Sequence, residues 1–280
     1  MSEGTLFVVA TPIGNLDDLS PRAREVLGRV DLVAAEDTRV TGRLLSHFGI
    51  RVRTLALHDH NEEKKVPEII AALKSGKSVA LVSDAGTPLI SDPGFRLVRA
   101  AHAEALPVAP VPGPSAMVAA LSASGLPSDR FVFEGFLPSR NSARRSRLNA
   151  LADETRTLLF FESVHRVVDT IADMQAAFGG ARQAFIGREL SKLHEQCVSG
   201  SLDALAEGLA DKRIPLKGEF VVGVAGAADG ATDEASADAD RLLAELLAVI
   251  PGKQAVDIVA RVTGAPRNAV YQQMLQRKKD

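Results

Sequence analysis

Short apolar runs alternate with stretches of helical period along the first ~120 residues of the chain. The runs Leu6–Ala10, Asp31–Ala35, Arg53–Leu57, Val79–Val82 and Val108–Val111 have strand length and predict strands. Those buried on both faces of a parallel sheet lose the apolar-polar alternation of a half-exposed strand, as Val79–Val82 does. Between them lie helical stretches. Ser20 is placed to cap the first, with Pro21 at its first helical position. Another runs from Glu62 to Lys74 and stops at Gly76. Strand-helix alternation of this kind predicts a mostly parallel sheet with helices on both faces.

The texture changes after Gly125-Leu126-Pro127. Strand-like runs at 131–136, 157–161, 184–190, 196–199 and 219–225 crowd together, with helical patterns at 141–152, 164–178 and 201–211. A second α/β domain with a mixed sheet is the reading. The predicted division is an N-terminal α/β domain over 1–122, a second over 123–228, an acidic linker over 229–240 and a helical tail over 241–280. Asp229, Asp233, Glu234, Asp238 and Asp240, with few large apolar groups, give the linker its solvated character. In the tail, Leu242, Leu243, Leu246, Leu247 and Ile250 trace an amphipathic helix. Val256–Val262 and Ala269–Leu275 flank Gly264-Ala265-Pro266, a pattern shared by a helix-turn-helix and by a plain helical cap.

The 280 residues are 46% hydrophobic, enough for one large or two modest cores, and the net charge of −2 means any basic surface is local. One cysteine, Cys197, excludes an internal disulfide and fits a reducing compartment. No basic-then-apolar leader opens the chain, and no apolar run approaches the ~20 residues of a membrane span. The expectation is a soluble, cytoplasmic protein.

Three strands run into Gly/Pro turns: Thr11-Pro12-Ile13-Gly14-Asn15-Leu16, Ser83 to Gly94, and Pro112-Gly113-Pro114-Ser115-Ala116. Such turns have fixed shape and bring bare backbone close to a ligand. In open α/β sheets the crevice outside the strand ends is where ligands bind. Neither G-x-G-x-x-G after the first strand nor G-x-x-x-x-G-K-[ST] is present, so a ligand held here lacks the usual phosphate cradle. Asp84 either contacts that ligand or braces its own turn, and the small Ser115 and Ala116 leave room beside it. Glu36-Asp37-Thr38-Arg39 ends another strand, as a helix cap with a local ion pair or as part of the site. His58-Asp59-His60-Asn61-Glu62 offers bases but no tetrahedral zinc set, so no metal is expected. Arg140, Arg144, Arg145 and Arg147 form a local basic run suited to phosphate, or a solvated face, and Arg267, Arg277, Lys278 and Lys279 a second.

The chain resembles the tetrapyrrole methylase superfamily, whose members transfer methyl groups from S-adenosylmethionine. Within it, the similarity is to the bacterial methyltransferases of the 16S ribosomal RNA ribose 2′-hydroxyl. The resemblance is carried by the turns above and by Ala35-Glu36-Asp37-Thr38-Arg39, His58-Asp59-His60-Asn61-Glu62 and Gly125-Leu126-Pro127-Ser128-Asp129-Arg130-Phe131. It continues in Glu134-Gly135-Phe136-Leu137-Pro138, Phe161-Glu162-Ser163, His165-Arg166, Arg188-Glu189-Leu190 and Lys217-Gly218-Glu219.

It implies a two-domain α/β fold with S-adenosylmethionine between the domains, held largely by backbone. Pro12, Asp84, Ala85, Gly86, Thr87, Pro88, Ser115, Ala116, Phe161 and Glu162 are the expected cofactor residues. Asp37 and His58 are the candidate bases, and Arg39 orients ribose or phosphate. Arg140, Arg144, Arg145, Arg147 and Arg166 are the expected RNA contacts. The implied activity is 2′-O-methylation of a cytidine in the decoding region, on 16S ribosomal RNA or the small subunit, by a homodimer. A tetrapyrrole methyltransferase of the same fold and a non-catalytic RNA- or cofactor-binding module are the alternatives.

Overall fold

A computed structural model describes residues 4–228, 230–263, 270, 271, 274 and 275. In chain order the elements of the first half are β1 (Leu6–Val9), α1 (Pro21–Arg29), β2 (Leu32–Ala35), α2 (Thr38–His47), β3 (Arg53–Ala56), α3 (Glu62–Lys74), β4 (Val79–Val82), α4 (Phe95–Ala103), β5 (Val108–Val111) and α5 (Ala116–Ser124). Ser20 caps α1 as its sequence position predicts, its hydroxyl accepting from the Ala23 N–H.

The five strands form one sheet in the order β3-β2-β4-β1-β5, parallel throughout. Its two faces carry separate apolar layers. Leu6, Ala34, Ile69, Leu81 and Leu97 pack on one side, and Val9, Val26, Leu27, Val33 and Val82 on the other. Burial on both faces explains the unbroken apolar runs of β2 and β4.

The second half contributes β6 (Phe131–Phe136), α6 (Asn141–Ala150), β7 (Thr157–Ser163), α7 (Val167–Phe178), β8 (Gln183–Arg188), β9 (Gln196–Ser201), α8 (Leu202–Ala210) and β10 (Glu219–Val224). They build a mixed sheet in the order β6-β7-β10-β8-β9, with β6 and β7 parallel and the other pairs antiparallel. The fold class read from the sequence is the one observed.

Residues up to Ala225 nevertheless form one compact unit, so the division expected at 122 lies inside it. The cause is α5. It follows β5 of the first sheet, yet it packs against β7, β8, β9 and β10 of the second. Ala120 lies in one apolar cluster with Phe185, Leu190 and Val221.

The second unit, 226–280, contains α9 (Gly230–Leu247) and α10 (Gly252–Thr263). Ala239, Leu243, Ala255, Val256 and Val259 make its core, with Val270 and Met274. The stretch expected as an acidic linker over 229–240 is therefore helical from Gly230 onward. Its alanines favour helix, and Ala239, a residue read as linker, is buried in the core of this unit. The Gly264-Ala265-Pro266 turn and the basic residues Arg267, Arg277, Lys278 and Lys279 lie outside the described residues. No described helix is long and apolar enough to cross a membrane.

The arginine run on α6 divides sharply. Arg144 is 4% exposed and donates through Nε to Asp173 of α7 at 2.7 Å, so it fastens α6 to α7 and is not free for RNA. Arg147 lies bidentate on Glu134, both bonds 2.8 Å, at the bulge where β6 shifts register against β7. Arg166 donates to the carbonyls of Leu137 and Pro138 and faces Glu162 at 3.4 Å. All three have partners within the fold, Arg144 buried and Arg147 with its side chain still 48% exposed. Arg140, Arg145 and Arg147 are exposed, Arg145 lying 3.8 Å from Asp173.

Breaking a buried ion pair from one side leaves the other charge unmatched, at about 3–5 kcal/mol. Arg144→Ala should therefore lower unfolding free energy by about 3 kcal/mol in urea titration. Arg145→Ala, at an exposed position, should change it by under ~0.5 kcal/mol.

Candidate functional site

Because β2, β4, β1 and β5 are neighbours in a parallel sheet, the loops after their carboxyl ends stand side by side. The Thr11 N–H donates to the Gly86 carbonyl at 2.8 Å, and the Gly86 N–H returns a bond to Thr11 O at 3.0 Å. This pair stitches the β1 loop to the β4 loop. The Thr87 hydroxyl donates to Pro114 O at 3.0 Å, adding the β5 loop. Gly86 has φ +80°, and a Cβ there would also lie 3.3 Å from Ile13, so this junction selects glycine twice over.

The β2 loop joins through its carboxylates. The Asp84 N–H donates to Glu36 at 3.3 Å, and the Asp37 N–H donates to Asp84 at 3.0 Å.

Against these loops stands the inner end of the second sheet, and between them lies a cavity of about 410 Å³. That is within the usual range for a small-molecule site. Its first-sheet wall is made by Ile13, Glu36, the 84–87 turn, Ile90 to Asp92, Ser115 and Ala116. Phe136, the 161–164 segment, Gly187, Leu190 and residues 218–221 form the opposite wall.

Of the expected cofactor residues, all but Pro12 and Pro88 line this cavity. Those two shape the turns: Pro88 is buried within its loop and Pro12 adjoins Ile13 of the lining. Phe161 stacks edge-on with Phe133 and Phe136, at centroid distances of 4.9 and 5.7 Å. Glu162 is 2% exposed and fully engaged, accepting from Thr170 Oγ1 at 2.7 Å and from the Ser163 N–H at 2.7 Å.

The expected catalytic residues are placed differently. Asp37, Arg39 and His58 are not part of the cavity lining. Asp37 caps α2, accepting from the Arg39 N–H at 2.8 Å, and grips the Arg39 side chain at 2.6 Å. Hydrogen bonds from that guanidinium hold the Asp37 carboxyl down to about 2, far below what a general base needs near neutral pH.

The His58 block is a built turn. Asn61 Oδ1 accepts from the His58 N–H at 3.0 Å, and Asn61 Nδ2 donates to Ala56 O at 3.1 Å. Glu62, 5% exposed, accepts from the N–H groups of Arg96 and Leu97 and so caps the start of α4.

Several lining residues were not read from the sequence. Asp92 is the most consequential. Its loop carries Leu89 at φ 73° and Ser91 at φ 67°, a left-handed conformation that non-glycine residues rarely adopt. Gly94 follows at φ 121°, where a Cβ would strike Leu81 Cδ2 at 2.6 Å. The strained path sets Asp92 half-buried in the wall. Burial, with the carboxylates of Glu36, Asp84 and Asp59 adding to it, pushes Asp92 up to about 6 against the opposing bond from the Ser83 hydroxyl. Burial likewise raises Glu36 and Asp84. The signal is a pair of strained residues three and five positions before Gly94, and it is invisible without the backbone.

The folded protein holds the Asp92 proton more tightly than the unfolded chain, where aspartates titrate near ~3.9. Stability from the protonated form is thus complete below pH ~4 and lost as pH rises through 6. Asp92→Asn, which mimics that form, should raise Tm above wild type at pH 8 and leave it unchanged at pH 4. Calorimetric scans across this range check the crossover, and an equal shift at both pH values would contradict it.

The same architecture recurs in known proteins. The tetrapyrrole (corrin/porphyrin) methylase family matches residues 5–206, and the RsmI C-terminal HTH domain matches residues 233–278. The ribosomal RNA small subunit methyltransferase I of Pseudomonas aeruginosa is 54% identical over 279 residues, covering 99% of each chain. Its namesake from Xylella fastidiosa is 53% identical over 268 residues, covering 96% of this chain and 98% of that one. The crystal structure of uroporphyrin-III C-methyltransferase from Thermus thermophilus, complexed with S-adenosylhomocysteine, superimposes with a TM-score of 0.53. It is 18% identical, covers 79% of this chain and 97% of its own, and so shares the fold. With loops, cavity and both matched segments in agreement, the chain belongs to the tetrapyrrole methylase family of S-adenosylmethionine-dependent methyltransferases, in the branch of the ribosomal RNA small subunit methyltransferases I.

Proposed function

We propose that this protein transfers a methyl group from S-adenosylmethionine to the ribose 2′-hydroxyl of a cytidine in the decoding region of 16S ribosomal RNA. The cavity carries the reading. One wall is apolar and aromatic, with Phe161, Leu190 and Val221, and the other is carboxylate-rich, with Glu36, Asp84 and Asp92. An adenine ring suits the first, and a sulfonium or ammonium cation suits the second. No phosphate cradle is present in the sequence, and this cofactor carries no phosphate. The names of the relatives from Pseudomonas and Xylella supply the substrate class, ribosomal RNA of the small subunit.

When bound, S-adenosylmethionine would supply a methyl group whose carbon is made electrophilic by the positively charged sulfonium. The residues of this chain do the rest by position. Ala85 to Thr87, Ser115 and Ala116 present backbone and small side chains at the strand ends, with Pro12 and Pro88 fixing the turns. Asp84 draws the cation while its carboxylate stays anchored to the Asp37 N–H. Phe161 supplies the ring surface, and Glu162 holds the strand end behind it. Asp37 and Arg39 act as a rigid pair that steadies this anchor at the rim. His58 shapes the neighbouring turn. Arg140 and Arg145, exposed members of the arginine run with no carboxylate hydrogen bond among the described residues, contact RNA phosphate. The protein works on the small subunit in the cytoplasm, as a homodimer.

The test is transfer of labelled methyl to small subunits, to deproteinised 16S RNA and to a porphyrinogen, with mass spectrometry of nuclease digests. A ribose-methylated cytidine is the expected product. Methylation of a base, or of the porphyrinogen alone, overturns the proposal, and cofactor binding without any transfer favours a binding module. In the same assay, Arg140→Ala combined with Arg145→Ala should weaken subunit binding and flatten its salt dependence by about one unit of slope per arginine. Cofactor affinity, read by calorimetry, should not move.

A further inference from the structure

Methyl transfer to a ribose hydroxyl releases a proton, and the candidate bases read from the sequence stand outside the cavity lining. The carboxylates that do line it are differently committed. Glu36 accepts from the Asp84 N–H, and Asp84 accepts from the Asp37 N–H. Glu162 is buried and saturated by Thr170, Ser163 and Arg166. Glu219 is bound by Lys192 at 2.9 Å. Asp92 differs from all four, since among the described residues neither a cation nor a backbone N–H holds it, and the Ser83 hydroxyl, which donates to Ala85 O, is the polar group that favours its ionised form. It is also half-buried, close enough to the open cavity to be reached and dry enough to be a better base than a solvated aspartate. The strained backbone at Leu89 and Ser91 fixes it there, a cost the fold sustains at this loop.

We propose that Asp92 is the proton acceptor for the attacking ribose hydroxyl, an inference that rests on the ribose-methylation reading above. As the oxygen forms its bond to the methyl carbon, the bond from that carbon to sulfur breaks and its electron pair returns to sulfur. The hydroxyl proton passes to the Asp92 carboxylate. The products are a methyl ether, a neutral thioether and a protonated Asp92, which then loses its proton to water. One negative and one positive charge vanish together, so the step neutralises charge in a partly desolvated site.

The groups facing Asp92 set its titration. Glu36 from the β2 loop, Asp59 from the β3 loop and Asp84 from its own loop favour the protonated form. Ser83 at the end of β4 favours the ionised form. On the opposite wall stand Glu162 and the Glu219–Lys192 pair, and Glu62 is tied to the start of α4. With the carboxyl pushed up to about 6, Asp92 is mostly ionised at pH 7 and near the match a general base needs.

The test has three parts, and product identity comes first. Digests of wild-type reactions establish whether ribose is methylated, and a base product overturns both the reading and this inference. Given a ribose product, single-turnover rates of Asp92→Asn should fall by ~10²–10⁴. Calorimetry should show cofactor affinity within a few-fold of wild type. The wild-type rate should climb with pH and level off at or below about 6, and the variant should lose that inflection. A variant within threefold of wild type, with an unchanged profile, overturns this inference alone.

The third part needs no turnover. Carbon NMR of the Asp92 carboxyl in the protein without ligands should give a midpoint near 6, and Ser83→Ala should move it upward. The Ser83→Ala rate profile should shift in the same direction. A midpoint near that of a free aspartate, ~3.9, sinks the assignment whatever the activity of the variants.

Discussion

Two backbone hydrogen bonds between Thr11 and Gly86 hold the site to the fold. Thr11 follows β1 and Gly86 follows β4, each within the turn that leaves its strand. Joined, the two turns become a short antiparallel bridge at the edge of a parallel sheet. Everything on the first-sheet wall is referenced to that bridge. The Thr11 hydroxyl reaches on to Ser83 O at 3.2 Å, and Thr87 ties in the Pro114 carbonyl. The loop carrying Asp92 departs from this fixed point and returns at Gly94, so its strain is sustained from both ends.

The acidic wall follows from the same constraint. Parallel strands bring their loops to one edge, and here three of those loops place a carboxylate within reach of another. Two of the carboxylates are stabilised by neighbouring N–H groups. Burial, with like charges held this close adding to it, disfavours full ionisation, which costs stability and raises proton affinity. A site that must receive a cation and lose a proton benefits from both effects.

Much of this was legible in the chain. Continuous apolar runs followed by Gly/Pro turns gave the strands and the loops of the first sheet, because burial on both faces and a positive φ each leave a residue-level trace. Phe161 and Glu162 were legible only through family resemblance. The roles of the arginines were not. Arg144 and Arg145 are adjacent and chemically identical, yet one is buried on Asp173 and the other is exposed, a difference set by α7 thirty residues away in sequence. Asp37 and Asp92 likewise look alike in sequence. A neighbouring guanidinium lowers one and burial raises the other. Helical structure after Gly230 was hidden because an acidic, alanine-rich stretch reads as solvated whether or not it is wound.

The position of β10 has a consequence for synthesis. Among the described residues it is the last strand, yet it lies in the middle of its sheet, between β7 and β8. Until residues near Val224 have left the ribosome, β7 and β8 have no partner to join them, and α5 has no complete surface on which to rest. A nascent first half therefore carries an uncovered apolar helix, which calls for prompt completion or chaperone protection. The second cavity wall exists only when β10 is in place, since Phe220 and Val221 belong to it. Occupancy of the cavity is thus confined to chains synthesised past β10, and the order of strands along the polypeptide times the completion of the site.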